Sequence, residues 1–554
     1  MTDTRYTIGL DFGSLSCRGV LTDVRDGHVV AEAAMNYPHA VMDTVLPDGT
    51  PIPGGWCLQH PGDFVETMTH VVRTLAATEG VSPGQIIGLC ADCTTSTVMP
   101  VDDQLQPLCF DPAYASRPHA WLKMWKHHGA TRQAQRLNEV CREQNRPYLD
   151  WYGGKINPEC LLAKVMQVFD EDRAVYDAAH LFMEIGDYLP TLLTGKPVFS
   201  KSILAAKAFW CEESGYPDGD FFAAFDPALR RLPDEKLMNR RADRIVAAPG
   251  AYVGGLRPEM AEKLGLQPGI AVGASQMDAY TPMLGLGIAE PGVMLLVIGT
   301  STGVMMLGDR ERPVEGVTVS RPDTYYPGLW GYGSGQASVG DGFQWFSENC
   351  VPAAYTAAAQ EKGVSIQQYL TELAASCAPG KTGVIALDWI NGNKSCLGNS
   401  RLSGMFLGLN LNTKPEHIYR AMLEATAFGA RMIVEAYTSA GVPVNEIRVC
   451  GGIANKNPLM MQIYADVLNM PLKVSRNTQA PALGSAIYAA WTAGQYDTIF
   501  DAVHAMADSS CTVYTPDAQH AAAYEELYQE YKTLHDYFGR GGNKVMERLY
   551  EKRN

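Results

Sequence analysis

The chain has 554 residues, of which 46% are hydrophobic and 19% are charged. This composition is typical of a globular protein and excludes intrinsic disorder. The length predicts two to four domains at roughly 150 residues per domain. The formal net charge of −15 argues against nucleic acid or an anionic membrane as a partner. A bound phosphate would therefore be held by local groups.

The amino terminus and the cysteines bear on the compartment. The first ten residues, MTDTRYTIGL, lack a basic segment followed by a long apolar run, and we find no stretch of about 18 apolar residues. The 13 cysteines are scattered, and the pair Cys90 and Cys93 has no second pair at zinc-finger spacing. We expect a cytoplasmic protein with structural thiols and no membrane span.

The first predicted element is a strand-turn-strand unit. The segment IGLDFGSLSCRGVL, residues 8–21, places Asp11, Gly13, Ser14 and Ser16 between two apolar runs. Glycine leaves turn amides free, and amides together with hydroxyls can surround phosphate oxygens. A carboxylate at the entrance can hold Mg²⁺ against a nucleotide tail, directly or through water. The turn is therefore predicted to bind phosphate, with Asp11 as the metal residue.

The same layout recurs in the second half of the chain. The segment GVMLLVIGTSTGVMMLGD, residues 292–309, again has an apolar strand, then Gly299, Thr300 and Ser301, a second strand and an Asp. Short β-rich runs alternate with helical patterns elsewhere, which indicates an α/β protein. We predict a duplicated fold with two facing hairpins, divided near residue 275 into lobes 1–275 and 276–554.

Two further elements are predicted beyond the second hairpin. The segment TKPEHIYRAMLEATAFGARMIVEAYTSAG predicts a long helix, with Thr413 and Glu416 as its capping box. A strand at 447–450 then meets Gly451 and Gly452, and a helix is expected to open near residue 457. Glycines between strand and helix admit a ligand to the backbone, although a plain tight turn explains them equally well.

Two common nucleotide motifs are excluded. The segment APGKT, residues 378–382, ends like a P-loop, but Ala375 stands where that pattern needs glycine. The segments GYGSG and GLGIAE fail the G-x-G-x-x-G spacing, which removes the best support for a nicotinamide enzyme.

A longer signature suggests a family. In SGMFLGLNLNTKPEHIYRAMLE the signature positions are Gly404, Phe406, Gly408, Leu409, His417, Ala421 and Glu424. With them the chain resembles the FGGY carbohydrate kinases, from the first hairpin to beyond residue 490. This resemblance implies a ribonuclease H-like, two-lobed fold of the actin/Hsp70/hexokinase superfamily, with a cleft between the lobes. Stretches such as LCFDPAYASRPHAWLKMWKHHGA, YGGKINPE and ALDWINGN most resemble family members that phosphorylate L-ribulose.

The resemblance assigns the chemical and nucleotide-binding roles. Asp278, in GASQMDAYTPMLGLG, matches the catalytic base that accepts the proton of the sugar hydroxyl. Asp11 resembles the residue that positions Mg²⁺, and the two hairpin turns resemble the clamps on the ATP tail. The remaining nucleotide contacts that it implies are Gly340, Gln344, Gly451, Gly452 and Asn455. For Gln344, a plain position on a helix surface is the alternative.

The resemblance also implies a sugar pocket. Thr95, Trp125 and Lys207 match its positions, although Trp125 also fits a core residue and Lys207 a surface lysine. Two departures bear on the substrate. Gly333 replaces a glutamate that usually contacts the sugar, and SQMDAY replaces the commoner Asn-Val-Asp-Ala-His, which places Gln276 near the substrate.

The implied function is an ATP- and Mg²⁺-dependent kinase for the terminal hydroxyl of a ketopentose. L-ribulose is the leading substrate, with L-arabinose catabolism as the context, and D-ribulose, xylulose and ribitol are the alternatives. A non-sugar ATPase of the actin/Hsp70 type and a nonenzymatic sugar sensor stay open as other classes. A homodimer is a family-level expectation.

Overall fold

The computed structural model describes residues 4–152, 154–237 and 243–552. Its contacts divide the chain into two compact units. Unit 1 runs to Ala289 and also takes in Ser320–Gly331 and Gln479–Asp508. Unit 2 takes in Glu290–Val319, Tyr332–Thr478 and the chain from Ser509 onward. Each unit is therefore assembled from separate stretches of sequence.

Both units are α/β. The strands are β1 (Tyr6–Phe12), β2 (Ser16–Asp23), β3 (Val29–Asn36), β4 (Leu58–Gln59), β5 (Ile86–Cys93), β6 (Val98–Val101), β7 (Leu122–Lys123), β8 (Leu181–Glu184), β9 (Val198–Ser200), β10 (Ile245–Ala247), β11 (Tyr252–Gly255), β12 (Ala271–Gly273), β13 (Gln276–Met277), β14 (Val293–Ile298), β15 (Thr302–Gly308), β16 (Thr318–Ser320), β17 (Trp330–Gln336), β18 (Ile385–Leu387), β19 (Met405–Leu407), β20 (Glu446–Cys450), β21 (Leu472–Ser475) and β22 (Cys511–Tyr514).

The helices are α1 (Pro61–Ala76), α2 (Thr131–Glu143), α3 (Leu161–Glu171), α4 (Arg173–Ala178), α5 (Ile185–Thr194), α6 (Lys201–Lys207), α7 (Gly219–Ala223), α8 (Leu232–Glu235), α9 (Pro258–Leu264), α10 (Thr281–Gly285), α11 (Gly340–Asn349), α12 (Ala353–Lys362), α13 (Ile366–Ala375), α14 (Pro415–Ser439), α15 (Gly452–Lys456), α16 (Pro458–Leu468), α17 (Ala480–Thr492), α18 (Ile499–Met506), α19 (Ala518–Gly539) and α20 (Val545–Glu551). Among the residues that the structure describes, every helix is too short or too polar to traverse a lipid bilayer.

The central sheets of the two units have the same topology. In unit 1 the order is β11-β12-β5-β1-β2-β3, with β13 also paired to β5. In unit 2 it is β22-β21-β20-β14-β15-β17-β16. Each sheet contains an antiparallel hairpin, β1/β2 or β14/β15, whose first strand lies parallel to the next strand inward, β5 or β20. The predicted duplication of an α/β unit around two hairpins is confirmed.

A close approach between backbone and helix fixes the first hairpin in unit 1. Ile8, Leu10 and Phe12 of β1 are fully buried. Gly9 stands between them, and a Cβ there would lie 2.0 Å from the carbonyl oxygen of Ala482 in α17. Gly88 of β5 meets the same helix, since its Cβ would lie 2.4 Å from the Ala489 oxygen. Glycine in these strands therefore lets α17 pack directly on the sheet.

The predicted capping box of the long helix is wrong. Helix α14 begins at Pro415, and its N-cap is Lys414, not Thr413. The Thr413 hydroxyl accepts a hydrogen bond from the Asn410 amide at 2.9 Å. The Glu416 carboxylate accepts one from the Tyr355 hydroxyl at 2.7 Å. Tertiary contacts and the preceding turn thus occupy both side chains that the sequence pattern assigned to the cap.

Replacing Gly9 by alanine tests the close approach. We expect Gly9→Ala to lower the free energy of unfolding by about 1–3 kcal/mol, because the backbone of α17 is rigid and must move to accommodate the added methyl group. Urea unfolding measures the change. Gly54→Ala is the matched control, since a Cβ at Gly54 meets no atom within 4 Å. Equal stability of the two variants would contradict the packing argument.

Candidate active site

Three carboxylates lie at the carboxyl ends of adjacent parallel strands in unit 1. Asp11 of β1 stands opposite Asp92 of β5 in the register of that pair. Strand β13 also pairs with β5 and places Gln276 opposite Asp92. Asp278 follows β13 directly, and its amide donates to the Cys93 carbonyl oxygen at 3.0 Å. The carboxyl ends of parallel strands are where ligands bind in open α/β sheets.

Burial perturbs the first two carboxylates. Asp92 is fully buried, and Asp11 is 8% exposed. Burial raises the pKa of Asp11 above its usual range. Burial, and next the negative charge of Asp11, raise the pKa of Asp92 well above its usual range. Two carboxylates this close in a medium of low dielectric resist simultaneous ionisation, so they favour a shared proton or a bound cation.

Asp92 is a residue that sequence reasoning missed. Its Oδ2 accepts a hydrogen bond from the Ser485 hydroxyl of α17 at 2.7 Å. Its Oδ1 has no hydrogen-bond partner among the described residues. The available signal was an acidic residue inside IIGLCADC, an apolar run that predicts a buried strand. An acid there is costly unless a partner or a ligand compensates it.

The pKa of Asp278 lies close to neutral pH. Burial, and next the negative charge of Asp11, raise the pKa of Asp278 to about 7. A carboxylate with such a pKa is an effective proton acceptor at neutral pH, because about half of it is ionised there and it is far more basic than an ordinary carboxylate. The position of Asp278 suits the base that the family resemblance implies.

The first hairpin turn lies beside one predicted sugar residue. The Gly13 amide donates to the Ser16 oxygen at 3.0 Å and closes the turn. The indole N–H of Trp125 donates to the Ser14 hydroxyl at 3.0 Å. Trp125 is 38% exposed, so it does not belong to the apolar core. The structure therefore brings Ser14 and Trp125 together at the surface of unit 1.

The other predicted sugar residues differ in their surroundings. Thr95 is half-buried and follows β5. Gln276 is fully buried, and its Nε2 donates to the Tyr325 oxygen and the Tyr488 hydroxyl at 3.0 Å each. Its Oε1 accepts from the Ser202 hydroxyl and the Met277 amide. A sugar would have to displace one of these partners. Lys207 ends α6, and its side chain lies outside the described part of the chain.

In unit 2 the predicted nucleotide residues converge on the second hairpin turn. The amides of Val339 and Asp341 donate to the Thr300 oxygen at 2.8 and 3.1 Å, and the Gly340 amide donates to the Gly299 oxygen at 3.1 Å. At Gly451, which has a φ of 111°, a Cβ would lie 2.2 Å from the Ile298 oxygen. Three segments remote in sequence thus meet at the second hairpin turn with their backbones in contact.

Three further nucleotide predictions lie on exposed helical surfaces of unit 2. Gln344 is on the outer face of α11, where its Nε2 donates to Glu348 at 2.8 Å. Gly452 and Asn455 are exposed in α15, the short helix that directly follows Gly451. Their contacts with a nucleotide remain predictions.

Comparison with known proteins identifies the family. The N-terminal domain of the FGGY family of carbohydrate kinases matches residues 6–285, and its C-terminal domain matches residues 294–493. A ribulokinase of Halalkalibacterium halodurans is 46% identical over 99% of this chain and 97% of its own length. A ribulokinase of Shouchella clausii is 43% identical over 99% of this chain and 98% of its own length.

Solved structures share the fold at low identity. A xylulose kinase of Rhodospirillum rubrum superposes with a TM-score of 0.79 at 23% identity, covering 99% of this chain and all of that one. A glycerol kinase of Plasmodium falciparum, solved with ADP, gives 0.75 at 16% identity, covering 96% and 98% of the two chains. The chain belongs to the FGGY family of carbohydrate kinases. Membership implies a sugar acceptor and ATP as phosphoryl donor.

The raised pKa of Asp278 predicts how catalysis depends on pH. Since only ionised Asp278 accepts a proton, the logarithm of kcat/KM for the sugar should rise with unit slope below about pH 7 and level off above it.

Removing the negative charge of Asp11 should lower the pKa of Asp278, because that charge raises it. Carboxyl ¹³C NMR of labelled protein, with the resonance assigned by its loss in Asp278→Asn, measures that pKa in Asp11→Asn. An unchanged or higher pKa would contradict the electrostatic argument.

Proposed function

We propose that this chain transfers the γ-phosphoryl group of ATP to the terminal hydroxyl of L-ribulose, giving L-ribulose 5-phosphate and ADP. The observation that carries the proposal is similarity to ribulokinases over nearly the whole chain, at 46% and 43% identity in the two relatives described. The cluster of carboxylates at the strand ends of unit 1 supplies the acid-base group that such a transfer needs.

In this proposal Asp278 is the base. Its carboxylate accepts the proton of the sugar hydroxyl as that oxygen forms a bond to the γ-phosphorus and the bond to the β-γ bridging oxygen breaks. The proton then rests on Asp278, whose pKa near 7 permits both its uptake and its later release to solvent.

Magnesium fits the residues present. Carboxylate oxygens are the ligands that Mg²⁺ prefers, and the unpaired Oδ1 of buried Asp92 marks a place where positive charge is wanted. Asp11 would hold the ion, directly or through water. When bound, Mg²⁺ would neutralise negative charge on the ATP tail.

The turns at Gly13–Ser16 and Gly299–Ser301 would hold the ATP tail through amides and hydroxyls, and Gly340, Gln344, Gly451, Gly452 and Asn455 would contact the nucleoside. Lobe 1–275 would carry the sugar residues Thr95, Trp125 and Lys207, with Gln276 and Asp278 directly after it. Lobe 276–554 would carry the adenosine site. A cytoplasmic location and a homodimer belong to the same proposal; the location rests on the scattered cysteines, and the homodimer on the family resemblance alone.

Two departures from the family pattern, Gly333 and Tyr280, support other substrates as the second candidate. Gly333 of β17 lacks the carboxylate that ribulokinase-like members usually place there. Tyr280 replaces a histidine and stacks on Tyr325, with ring centroids 3.4 Å apart. Loss of an acceptor and exchange of a neighbouring ring can change the hydroxyl pattern that a pocket prefers, so D-ribulose, xylulose and ribitol are the alternative substrates.

A panel of sugars decides between these substrates. Coupled ADP release with L-ribulose, D-ribulose, both xyluloses and ribitol should give the highest kcat/KM for L-ribulose. A higher value for another sugar would overturn the substrate assignment. ADP release at full rate without any sugar would instead favour a non-sugar ATPase.

Asp278→Asn tests the proposed base. Loss of general-base catalysis should lower kcat by at least about 100-fold. Because the substitution removes a negative charge that desolvation disfavours at this half-buried position, thermal stability at pH 8 should be equal to or above that of the wild type. Asp497→Asn, at an exposed carboxylate of the same unit, is the control and should keep wild-type turnover. Normal turnover in Asp278→Asn would exclude this mechanism.

A further inference from the structure

A buried lysine of unit 1 connects the two segments that carry predicted sugar contacts. Lys164 lies in α3 and is fully buried. Its Nζ donates to the Ser96 carbonyl oxygen at 2.5 Å and to the Met124 carbonyl oxygen at 2.8 Å. Ser96 directly follows Thr95, and Met124 directly precedes Trp125. One amino group therefore holds the backbone next to both residues.

The Ser96 segment is strained and tightly fixed. Ser96 is a fully buried residue other than glycine with a φ of 55°, in the left-handed region. Such a conformation persists only where neighbouring contacts impose it, and it is common at functional sites. Lys164 supplies one contact. Another comes from Thr97, whose amide donates to the buried Glu184 carboxylate at 3.3 Å.

The Met124 segment is fixed in a similar way. Its carbonyl oxygen also accepts the His127 amide at 3.0 Å, and its amide donates to the Cys57 oxygen at 3.1 Å. The chain then turns outward, so that buried Met124 is followed by the partly exposed ring of Trp125. That ring reaches the Ser14 hydroxyl of the first hairpin at 3.0 Å.

A second buried lysine nearby has no comparable contacts. Lys123 is 2% exposed, and its Nζ has no hydrogen-bond partner among the residues described. Its amino group lies 4.9 Å from the centre of the Trp56 ring. Burial, and next the positive charge of Lys164, lower the pKa of Lys123 to about 7. Lys123 directly precedes Met124 and shares the burial of Lys164, but its amino group makes no hydrogen bond to either segment among the described residues.

We propose that Lys164 is a positioning residue of the sugar site, whose amino group fixes the Ser96 and Met124 carbonyls and thereby sets the side chains of Thr95 and Trp125. This inference rests on the proposed function, because it takes Thr95 and Trp125 as sugar contacts. Removing the amino group leaves the buried Ser96 carbonyl oxygen without this donor and the Met124 oxygen with the His127 amide alone, so we expect both segments to shift. The sugar would then meet a displaced ring and hydroxyl.

Kinetics of Lys164→Met test the proposal, with Lys123→Met as the matched control. In Lys164→Met, KM for the sugar should rise about 10-fold or more, since displacement of positioning groups by about 1 Å has effects of that size. KM for ATP should stay within about threefold of the wild type, since Lys164 reaches the proposed nucleotide residue Ser14 only indirectly, through Trp125. Lys123→Met should leave both constants unchanged. Equal rises in both KM values, or an equal effect of Lys123→Met, would overturn the proposal.

Fluorine NMR gives a readout that does not depend on activity. In protein labelled with 5-fluorotryptophan, the Trp125 resonance is assigned by its loss in Trp125→Phe. Lys164→Met should shift or broaden this resonance, and Lys123→Met should leave it in place. If Lys164→Met does not fold, Lys164→Gln replaces it in both measurements, because glutamine is too short to reach both carbonyls. An unmoved resonance would overturn the proposal.

A double-mutant cycle separates positioning from general stability. If Lys164 acts through Trp125, the effects of Lys164→Met and Trp125→Phe on sugar KM should be less than additive. Full additivity would overturn the proposal. If the wild-type chain phosphorylates no ketopentose, the proposed function fails, and the Trp125 resonance still decides whether Lys164 sets that side chain.

Discussion

The parallel pairing of β5 with both β1 and β13 is the constraint on which the site of unit 1 depends. It gathers Asp11, Asp92 and Asp278 at one end of a sheet, where desolvation makes their negative charges costly. Desolvation, and next the charge of Asp11, raise the pKa of Asp278 to about 7, which suits the base proposed above. The cluster also creates a demand for positive charge that a hydrated cation at Asp11 would meet.

The same strand order carries different groups at the strand ends of the two units. In unit 1 the strand ends carry carboxylates, and an extra short strand, β13, delivers Asp278 beside them. In unit 2 the equivalent edge carries glycines, and backbone groups of Gly299, Gly340 and Gly451 approach one another closely. A duplicated framework has thus diverged in its loops and strand ends, while the hydrogen-bonded order of its strands has been kept.

Local patterns in the sequence predicted the local parts of this structure. The two hairpins, the strand at 446–450 and the helix after Asn457 follow from apolar runs broken by glycine and polar residues. The family resemblance supplied Asp278. What could not be predicted depends on partners distant in the sequence. Asp92 joins the carboxylate cluster because strand pairing places it opposite Asp11. The amide of Gln276 forms hydrogen bonds with groups of residues 202, 325 and 488.

The return of residues 479–508 to unit 1 has a consequence for biosynthesis. Helix α17 covers Gly9 of β1 and Gly88 of β5, and its Ser485 reaches Asp92. These strands leave the ribosome hundreds of residues before that helix does. In a nascent chain that ends at residue 289, the sheet face that α17 will cover is therefore exposed, and Asp92 lacks the Ser485 hydroxyl as its hydrogen-bond partner. Completion of the amino-terminal unit must wait until the polypeptide is nearly finished.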